Sequence, residues 1–162
     1  MADRIEVRER GPADERAARG FLAEHGAARV ARLGTLERPA EHPALLAVRG
    51  DALSGLLTYV VAGASCEILT IHAAEQWSGI GTALVDAAER MAAERGCGRL
   101  WVLTTNDNVD ALRFYQRRGF RLAELHPGAV DEARARLKPE IPRVGDHGIP
   151  LRDELVLEKE VG

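Results

Sequence analysis

The chain has 162 residues, an ordinary size for one domain built around a single hydrophobic core. Its 22 basic and 25 acidic side chains give a net charge of −3, and no basic stretch is interleaved with aromatic residues. This balance argues against nucleic-acid and membrane-surface partners, because both select cationic surfaces. The N-terminal residues are charged and lack the apolar run of a signal peptide, and no run is long enough to span a membrane. We therefore expect a cytoplasmic protein with one domain over residues 1–162.

The first half of the chain predicts a strand, a helix and then a meander of three antiparallel strands. Alternating apolar and charged residues indicate the first strand, and a proline in the first turn favours the helix. Arg49-Gly50-Asp51 separates two apolar runs, which is a hairpin signal. Residues 26–43 remain ambiguous, with a second helix as one option. The predicted strands cover residues 5–8, 44–48, 53–61 and 66–71, and the helix covers residues 12–25.

In the second half, apolar residues return at helical spacing from Gly79 until Gly96, which is well placed as a helix stop. A second helix is predicted from its cap, Asn108, to Gly119. Strands are predicted at residues 99–105, 120–125 and 154–161. The chain thus predicts an α/β (α+β) fold with mixed strand pairing.

Two cysteines, Cys66 and Cys97, each lie beside a strongly apolar segment. This placement is typical of small buried residues in a reducing compartment, and it does not suggest a disulfide framework. The five histidines show no metal-ligand spacing, and the cysteines do not complete a zinc set. We therefore expect inert thiols and no metal.

The two glycines of the segment Gly79-Ile80-Gly81 stand where a strand passes into a helix. Such a loop collects unpaired backbone N–H groups at the positive end of the helix dipole, which makes a site for a phosphate or a diphosphate. The segment lacks the third glycine of the dinucleotide fingerprint, and the chain contains no phosphate-binding G-x-x-x-x-G-K-[ST] sequence. ATP and NAD are therefore disfavoured, while a tight turn without a ligand is an alternative.

Two motifs together resemble the GNAT superfamily of acetyl-CoA-dependent N-acetyltransferases. Gln76-Trp77-Ser78-Gly79-Ile80-Gly81 matches its Q/R-x-x-G-x-G/A signature directly after the fourth strand. Residues 108–120 match its N-x-x-A-x-x-x-Y-x-x-x-G-F segment at the usual distance, through Asn108, Ala111, Tyr115 and the pair Gly119-Phe120. The resemblance is specific over about residues 66–125. It implies a mixed, mostly antiparallel central sheet of six to seven strands flanked by helices.

The resemblance also implies how acetyl-CoA binds as a co-substrate. The fourth and fifth strands splay apart near Ile71 and Leu103, with the pantetheine arm between them, and the backbone of Leu69 and Ile71 holds that arm. Asn108, Ala111 and Tyr115 face the thioester. The diphosphate is held by Gln76 and by the N–H groups of Trp77, Ser78, Gly79, Ile80, Gly81 and Thr82. Family members often carry glycine or a basic residue where Trp77 and Ser78 stand, so the hold on the adenosine 3′-phosphate is open.

The implied reaction is direct attack of a primary amine on the acetyl thioester in a ternary complex. An ammonium group with a pKa near 10.4 is almost wholly protonated at pH 7, so a base must assist. Glu67 is the candidate because it is the one carboxylate within the apolar strand that leads to the glycine loop, and by alternation it shares a face with Leu69 and Ile71. A solvated or arginine-paired Glu67 is the alternative, and Asp107 and His72 are fallbacks, although His72 is more typical of a solvated strand end.

Tyr115 is the candidate general acid. A phenol with a pKa of about 10 can protonate a departing thiolate whose reference pKa is about 8.5, so the transfer needs little tuning. A backbone N–H near Ile71 is the expected donor to the oxyanion. The alternative for Tyr115 is a packing role on the inner face of its helix, beside Phe114 and Leu112.

The segment of about residues 126–152 is longer than a hairpin between the last two strands requires. Residues 131–137 predict two helical turns, and three prolines stiffen the remainder, so we expect a lid on the acceptor side. Its polar side chains are then acceptor contacts or, alternatively, solvated loop residues: Arg134, Arg136, Arg143, Asp146, His147 and Arg152.

The sequence leaves the acceptor open between small-molecule and peptide amines. It also leaves open whether the protein forms a homodimer. Two other classes of function compete with the enzyme: a non-catalytic module that binds or senses acetyl-CoA, and an α/β nucleotide-binding protein. Retention of Tyr115 and Asn108 argues against the first of these.

Overall fold

The computed structural model describes residues 4–162. In chain order its elements are β1 (Ile5–Glu9), α1 (Glu15–Glu24), β2 (Val30–Arg32), β3 (Thr35–Glu37), β4 (Ala44–Arg49), β5 (Ala52–Ala62), β6 (Ser65–Ala73), α2 (Ile80–Glu94), β7 (Arg99–Thr105), α3 (Val109–Arg117), β8 (Arg121–His126), α4 (Ala129–Arg136) and β9 (Glu154–Glu160). Seven strands form a mixed, mostly antiparallel sheet in the order β1-β4-β5-β6-β7-β9-β8. The fold class predicted from the sequence is confirmed.

The ambiguous stretch of residues 26–43 contains a small hairpin and a single 3-10 turn, Pro39–Glu41, and the optional second α-helix is wrong. Strands β2 and β3 pair with each other, and Leu33 and Gly34 connect them. Both connecting residues have positive φ angles, 46° and 79°, as a two-residue turn that matches the right-handed strand twist requires. Leucine rarely adopts that conformation, so the sequence gives no hairpin signal there.

The chain folds as two compact units. Of the described residues, unit 1 comprises residues 4–29, Arg38–Leu100 and Val161–Gly162, and unit 2 comprises Val30–Glu37 and Trp101–Glu160. Unit 1 contains the meander and the helix after the glycine loop, whereas unit 2 contains α3, the long segment before the last strand, and the small hairpin.

In unit 1 the two helices cover opposite faces of the sheet. Gly55 of β5 faces α2, because an added Cβ there would overlap the side chain of Ile80 and lie 3.2 Å from Leu84 Cδ1. The neighbouring residue Leu56 therefore points to the other face, together with its cross-strand partner His72. The His72 ring lies 5.3 Å from the ring of His25, which follows α1, so this second face is the α1 face.

In unit 2, β8 pairs with β9 on one side and lies at the end of the strand order. Its first five residues, 121–125, are exposed, including Leu122 and Leu125. A bulge at Ala123 interrupts the pairing between Leu122 and Glu124. The buried part of this unit includes Tyr115, Phe120, Val130, Ala133, Leu151, Val156 and Leu157. Among the described residues of the chain, no helix combines the length and apolarity needed to cross a bilayer.

Candidate functional site

The glycine loop leads directly into α2. Gly79 is the residue before the helix and has a φ of 84°, a left-handed conformation in which glycine is strongly favoured. Gly79 has no side chain with which to cap the helix start. An added Cβ at Gly79 would meet no heavy atom within 4 Å. The first N–H groups of an α-helix have no partner within the helix. Gly81 lies in the first helical turn. This geometry suits an anionic ligand.

The residues before Gly79 form a compact turn. The Ser78 hydroxyl donates to the carbonyl of Glu75 at 2.7 Å. Trp77 has a φ of 62° and is 74% exposed. The carboxylate of Glu75 is 3.8 Å from the guanidinium of Arg49, at the end of β4, so the one acidic side chain of the turn is paired. The diphosphate contacts of Gln76 and of residues 77–82 remain predictions.

A β-bulge changes which face of β6 carries Glu67. Thr58 of β5 lies opposite Thr70, but the next residue, Tyr59, lies opposite Ile68, so Leu69 is an extra residue on β6. Glu67, opposite Val60, therefore lies on the α1 face, whereas Ile71 lies on the α2 face. The expectation that Glu67 shares a face with Ile71 is wrong, because it assumed regular alternation.

The α1 face of β5 and β6 carries a row of polar side chains, and Glu67, at 3% exposure, is buried within it. Thr58 and Thr70 are also buried, and their hydroxyl groups are 2.6 Å apart. Sequence reasoning missed both threonines. Threonine within the apolar runs LLTYVV and EILTI was the available signal. Because Glu67 is buried, the alternative in which it is solvated is wrong.

His72 continues this row and is half-buried, so the expected solvated strand end is wrong. Burial lowers the pKa of His72 to about 4, and the nearby His25 contributes to the same shift. At neutral pH the imidazole is therefore uncharged. The His25 ring has its own partner, because its Nδ1 lies 2.8 Å from the carbonyl oxygen of Phe21.

Tyr115 of α3 is buried, with 3% exposure. Its ring makes edge contacts with Phe114 and Phe120, at centroid distances of 5.1 and 5.2 Å. Its hydroxyl is buried and has no hydrogen-bond partner within the described chain, which is rare for a phenol. Burial raises the pKa of Tyr115 well above its usual value, and the nearby Arg118 offsets this only in part. The expectation that the proton transfer needs little tuning is therefore wrong, since a phenol of raised pKa is a weaker acid.

Asn108 and Ala111 form the start of α3. The Asn108 side-chain oxygen accepts a hydrogen bond from the N–H of Ala111 at 3.1 Å, which caps the helix. The predicted cap is confirmed. The side-chain oxygen of Asn108 is therefore engaged in a hydrogen bond within its own helix. Contact of these two residues with the thioester remains a prediction.

Asp107 has both carboxylate oxygens engaged. One accepts a hydrogen bond from the Thr105 hydroxyl, and the other accepts from the N–H of Asp146 at 2.9 Å. The carboxylate also fills the space beside Gly145, where a Cβ would overlap it. These contacts favour a structural role over the fallback role of base.

The long segment between β8 and β9 is fixed by side chains of its own unit. Arg134 of α4 donates to the carbonyls of Ile141, Pro142 and Leu151 and to the carboxylate of Asp131, at 2.8 to 2.9 Å. Its guanidinium is thus committed within the segment, so its expected role as an acceptor contact is not supported.

Asn106 fixes the far end of the same segment. Its side-chain oxygen accepts hydrogen bonds from the N–H groups of Arg152 and Asp153, and its amide donates to the carbonyl of Pro150 at 2.8 Å. Glu154, the first residue of β9, is buried and accepts a hydrogen bond from the N–H of Leu33 at 3.2 Å. Sequence reasoning missed both Asn106 and Glu154, because their partners are remote along the chain.

The two cysteines are buried and free, as expected. Burial, reinforced by Cys97, raises the pKa of the Cys66 thiol to about 12. A thiol with such a pKa is protonated at neutral pH and is a poor nucleophile.

The chain belongs to the acetyltransferase (GNAT) family, whose model matches residues 9–120. This membership places it among the acyltransferases.

Among curated relatives, the chain is 46% identical to YdhI over 107 residues, and 48% identical to YxbD over 111 residues, both from Bacillus subtilis (strain 168). These matches cover 66% and 68% of the chain, and 66% and 69% of the relatives. It is also 32% identical over 80 residues to streptothricin acetyltransferase of Streptomyces lavendulae, which covers 47% of the chain and 42% of that protein.

Solved structures share the fold. The IAA acetyltransferase of Bacillus cereus ATCC 14579 superimposes with a TM-score of 0.72 at 21% identity, over 98% of this chain and all of that one. A GNAT family acetyltransferase from Elizabethkingia anophelis with acetyl-CoA bound superimposes with a TM-score of 0.69 at 20% identity, over 98% of this chain and 99% of that one.

Proposed function

We propose that the chain transfers the acetyl group of acetyl-CoA to a primary amine by direct attack in a ternary complex. The diphosphate of acetyl-CoA binds at the start of α2, after Gly79, where the first N–H groups of the helix have no partner within it. The helix dipole contributes only about 0.3 to 1 kcal/mol in an exposed setting, so most of the affinity comes from direct hydrogen bonds and from the rest of the ligand.

The observation that carries this proposal is the Tyr115 hydroxyl, which is buried without a hydrogen-bond partner among the residues described. Leaving such a group unsatisfied costs about 1 to 3 kcal/mol. A thiolate that forms as the thioester breaks is an acceptor for this O–H. In an acyltransferase family, the arrangement supports Tyr115 as the group that donates its proton to the sulfur of CoA.

The reaction conserves protons as follows. The amine nitrogen, deprotonated by Glu67 directly or through one water, forms a bond to the acetyl carbon, and the carbonyl oxygen takes the negative charge. A backbone N–H near Ile71 stabilises that oxyanion. The carbonyl re-forms as the C–S bond breaks, and the sulfur receives a proton from Tyr115. The nitrogen of the new amide gives its extra proton to the Tyr115 phenolate, directly or through water, and Glu67 releases the proton that it took to solvent.

We further propose that the acceptor is a small-molecule amine. The similarity to streptothricin acetyltransferase supports streptothricin as one member of an amine panel. Such a panel also contains amino acids, simple alkylamines and a peptide with a free N-terminus, so that a peptide acceptor is tested in the same assay.

The test measures release of free CoA with this panel. Tyr115→Phe lowers kcat by about a hundredfold with little change in the KM for acetyl-CoA, because general acid catalysis contributes about 10² to 10⁴ in rate. Glu67→Gln lowers kcat to a similar degree at neutral pH. Glu94→Gln, an exposed change at the end of α2, is the matched carboxylate control and keeps the wild-type rate.

Two outcomes contradict the proposal. Wild-type rates in Tyr115→Phe remove that residue from the acid role. Tight binding of acetyl-CoA without turnover on any amine favours the non-catalytic module that binds or senses acetyl-CoA.

A further inference from the structure

Trp77 is the most exposed of the large hydrophobic side chains in the described chain, at 74%. It lies two residues before Gly79, within the loop proposed to hold the diphosphate. Its φ of 62° is unfavourable for a bulky side chain, and the bond from Ser78 to Glu75 closes the turn that presents it. A tryptophan in this position adds a large flat apolar surface beside the diphosphate loop.

The loop supplies no cation for the nucleotide end of CoA. Between His72 and Thr82 the sequence contains neither lysine nor arginine, and its one carboxylate, Glu75, is paired with Arg49 at 3.8 Å. The ion pair with Arg49 reduces the repulsion between the Glu75 carboxylate and a bound diphosphate. No lysine or arginine of the loop remains to bind the adenosine 3′-phosphate. The adenine ring is attached to the same diphosphate through one ribose, so its position is confined to the neighbourhood of this loop.

We propose that the Trp77 indole stacks on the adenine ring of CoA and so replaces the basic contact that this loop lacks. Bases stack on aromatic side chains with substantial affinity whether or not a charge is present, because every base has a π face. Trp77 is then a specificity-determining residue for the donor, selecting CoA over carriers that have the same arm without the nucleotide. This inference rests on the proposed binding of the diphosphate at residues 77–82.

The test compares three ligands by calorimetry: CoA, dephospho-CoA, which lacks only the 3′-phosphate, and 4′-phosphopantetheine, which lacks the nucleotide. We expect Trp77→Ala to weaken CoA and dephospho-CoA by the same factor of about ten. Binding of 4′-phosphopantetheine is expected to stay unchanged. Equal losses for all three ligands would show that Trp77 acts through the loop backbone, and they would overturn the inference.

Two further variants separate stacking from backbone conformation. Trp77→Phe keeps an aromatic face and is expected to keep CoA affinity within about threefold of wild type. Trp77→Asn suits the left-handed backbone better but has no aromatic face, and is expected to behave like Trp77→Ala. Wild-type CoA affinity in Trp77→Asn together with reduced CoA affinity in Trp77→Phe would contradict stacking.

A spectroscopic measurement tests the contact directly. The chain has two tryptophans, so Trp101→Phe leaves Trp77 as the single indole fluorophore. Titration with CoA is expected to quench its emission with the calorimetric Kd, while 4′-phosphopantetheine leaves the emission unchanged. CoA binding without quenching would overturn the inference. Failure of the wild-type protein to bind CoA at all would instead overturn the proposed function.

Discussion

Glu67 and Thr70 lie on the same face of β6 although they are three positions apart, because Leu69 is an extra residue in the pairing with β5. In a regular strand, residues separated by three positions point to opposite faces. The bulge therefore adds a buried carboxylate to a face that already carries the threonine pair. Bulges often re-aim side chains next to active sites, which agrees with the base role proposed for Glu67.

The buried pair of Thr58 and Thr70 predicts a non-additive effect on stability. Thr58→Val alone leaves the Thr70 hydroxyl without its partner, so we expect a loss of about 1 to 3 kcal/mol in the free energy of unfolding. The double variant Thr58→Val/Thr70→Val removes both hydroxyls and recovers most of that loss. Urea unfolding of the two single variants and the double variant measures the coupling, and simple additivity would contradict the prediction.

The lowered pKa of His72 predicts a loss of stability in mild acid. The folded state keeps His72 neutral down to about pH 4, whereas the unfolded chain takes up a proton near pH 6.5. The free energy of unfolding is therefore unaffected by His72 above pH 6.5. It falls as the pH drops from 6.5 through 4, because only the unfolded chain takes up the proton, and the loss is about 2 kcal/mol at pH 4.5. Unfolding in urea at pH 7 and pH 4.5 should show a smaller loss for His72→Gln than for wild type.

The control for the histidine experiment is His147→Asn, which changes an exposed histidine with a φ of 58° that asparagine tolerates. Its acid sensitivity is expected to match that of the wild-type protein. Equal acid sensitivity in His72→Gln and wild type would contradict the role of His72.

The close approach of α2 to β5 predicts that Gly55→Ala is strongly unfavourable. The new methyl group overlaps Ile80 and presses on Leu84, and overpacking of this kind costs about 1 to 3 kcal/mol. We also expect weaker CoA binding, because displacement of Ile80 moves the start of α2. Gly20→Ala is the matched control, since its Cβ meets nothing within 4 Å in α1 and alanine favours helix by about 0.5 to 1 kcal/mol. Thermal unfolding and calorimetry check both effects.

The hydrogen bonds of Arg134 predict that lysine cannot replace it. The guanidinium donates in several directions at once, whereas an ammonium group is a compact charge without that planar geometry. We expect Arg134→Lys to lower the free energy of unfolding by about 1 to 3 kcal/mol and to speed proteolysis within residues 137–150. Arg136→Lys, at a residue whose side chain is 76% exposed, is expected to have little effect. Similar proteolysis of the two variants would show that the hydrogen bonds of Arg134 do not hold the segment before β9 in place.

Most of the fold could be predicted from the sequence, because local signals agree with the final structure. Asn108 caps α3 as its residue type predicts, and Gly96, with a φ of 78°, follows the end of α2. The hairpin through Leu33 and Gly34 could not be predicted, since its turn depends on an unfavourable leucine conformation. Glu154, whose bond to Leu33 helps to hold that turn, is remote in sequence.

The candidate site was only partly predictable. The glycine loop has a compositional signal in Gly79 and Gly81, and Tyr115 lies in a motif. The face of Glu67 depends on the bulge at Leu69, and no local pattern marks that bulge. The raised pKa of Tyr115 depends on burial, which arises from residues packed around it in the folded chain.

The outermost strand β8 has a consequence for behaviour at high protein concentration. Its exposed backbone edge and its side chains Leu122 and Leu125 would invite another strand to add to the sheet. Arg121 and Glu124 place charge on the same strand, and the bulge at Ala123 interrupts its regular hydrogen-bonding register. We expect these features to disfavour intermolecular strand pairing, so that substitutions at a few surface residues far along the chain from the glycine loop change the tendency to aggregate.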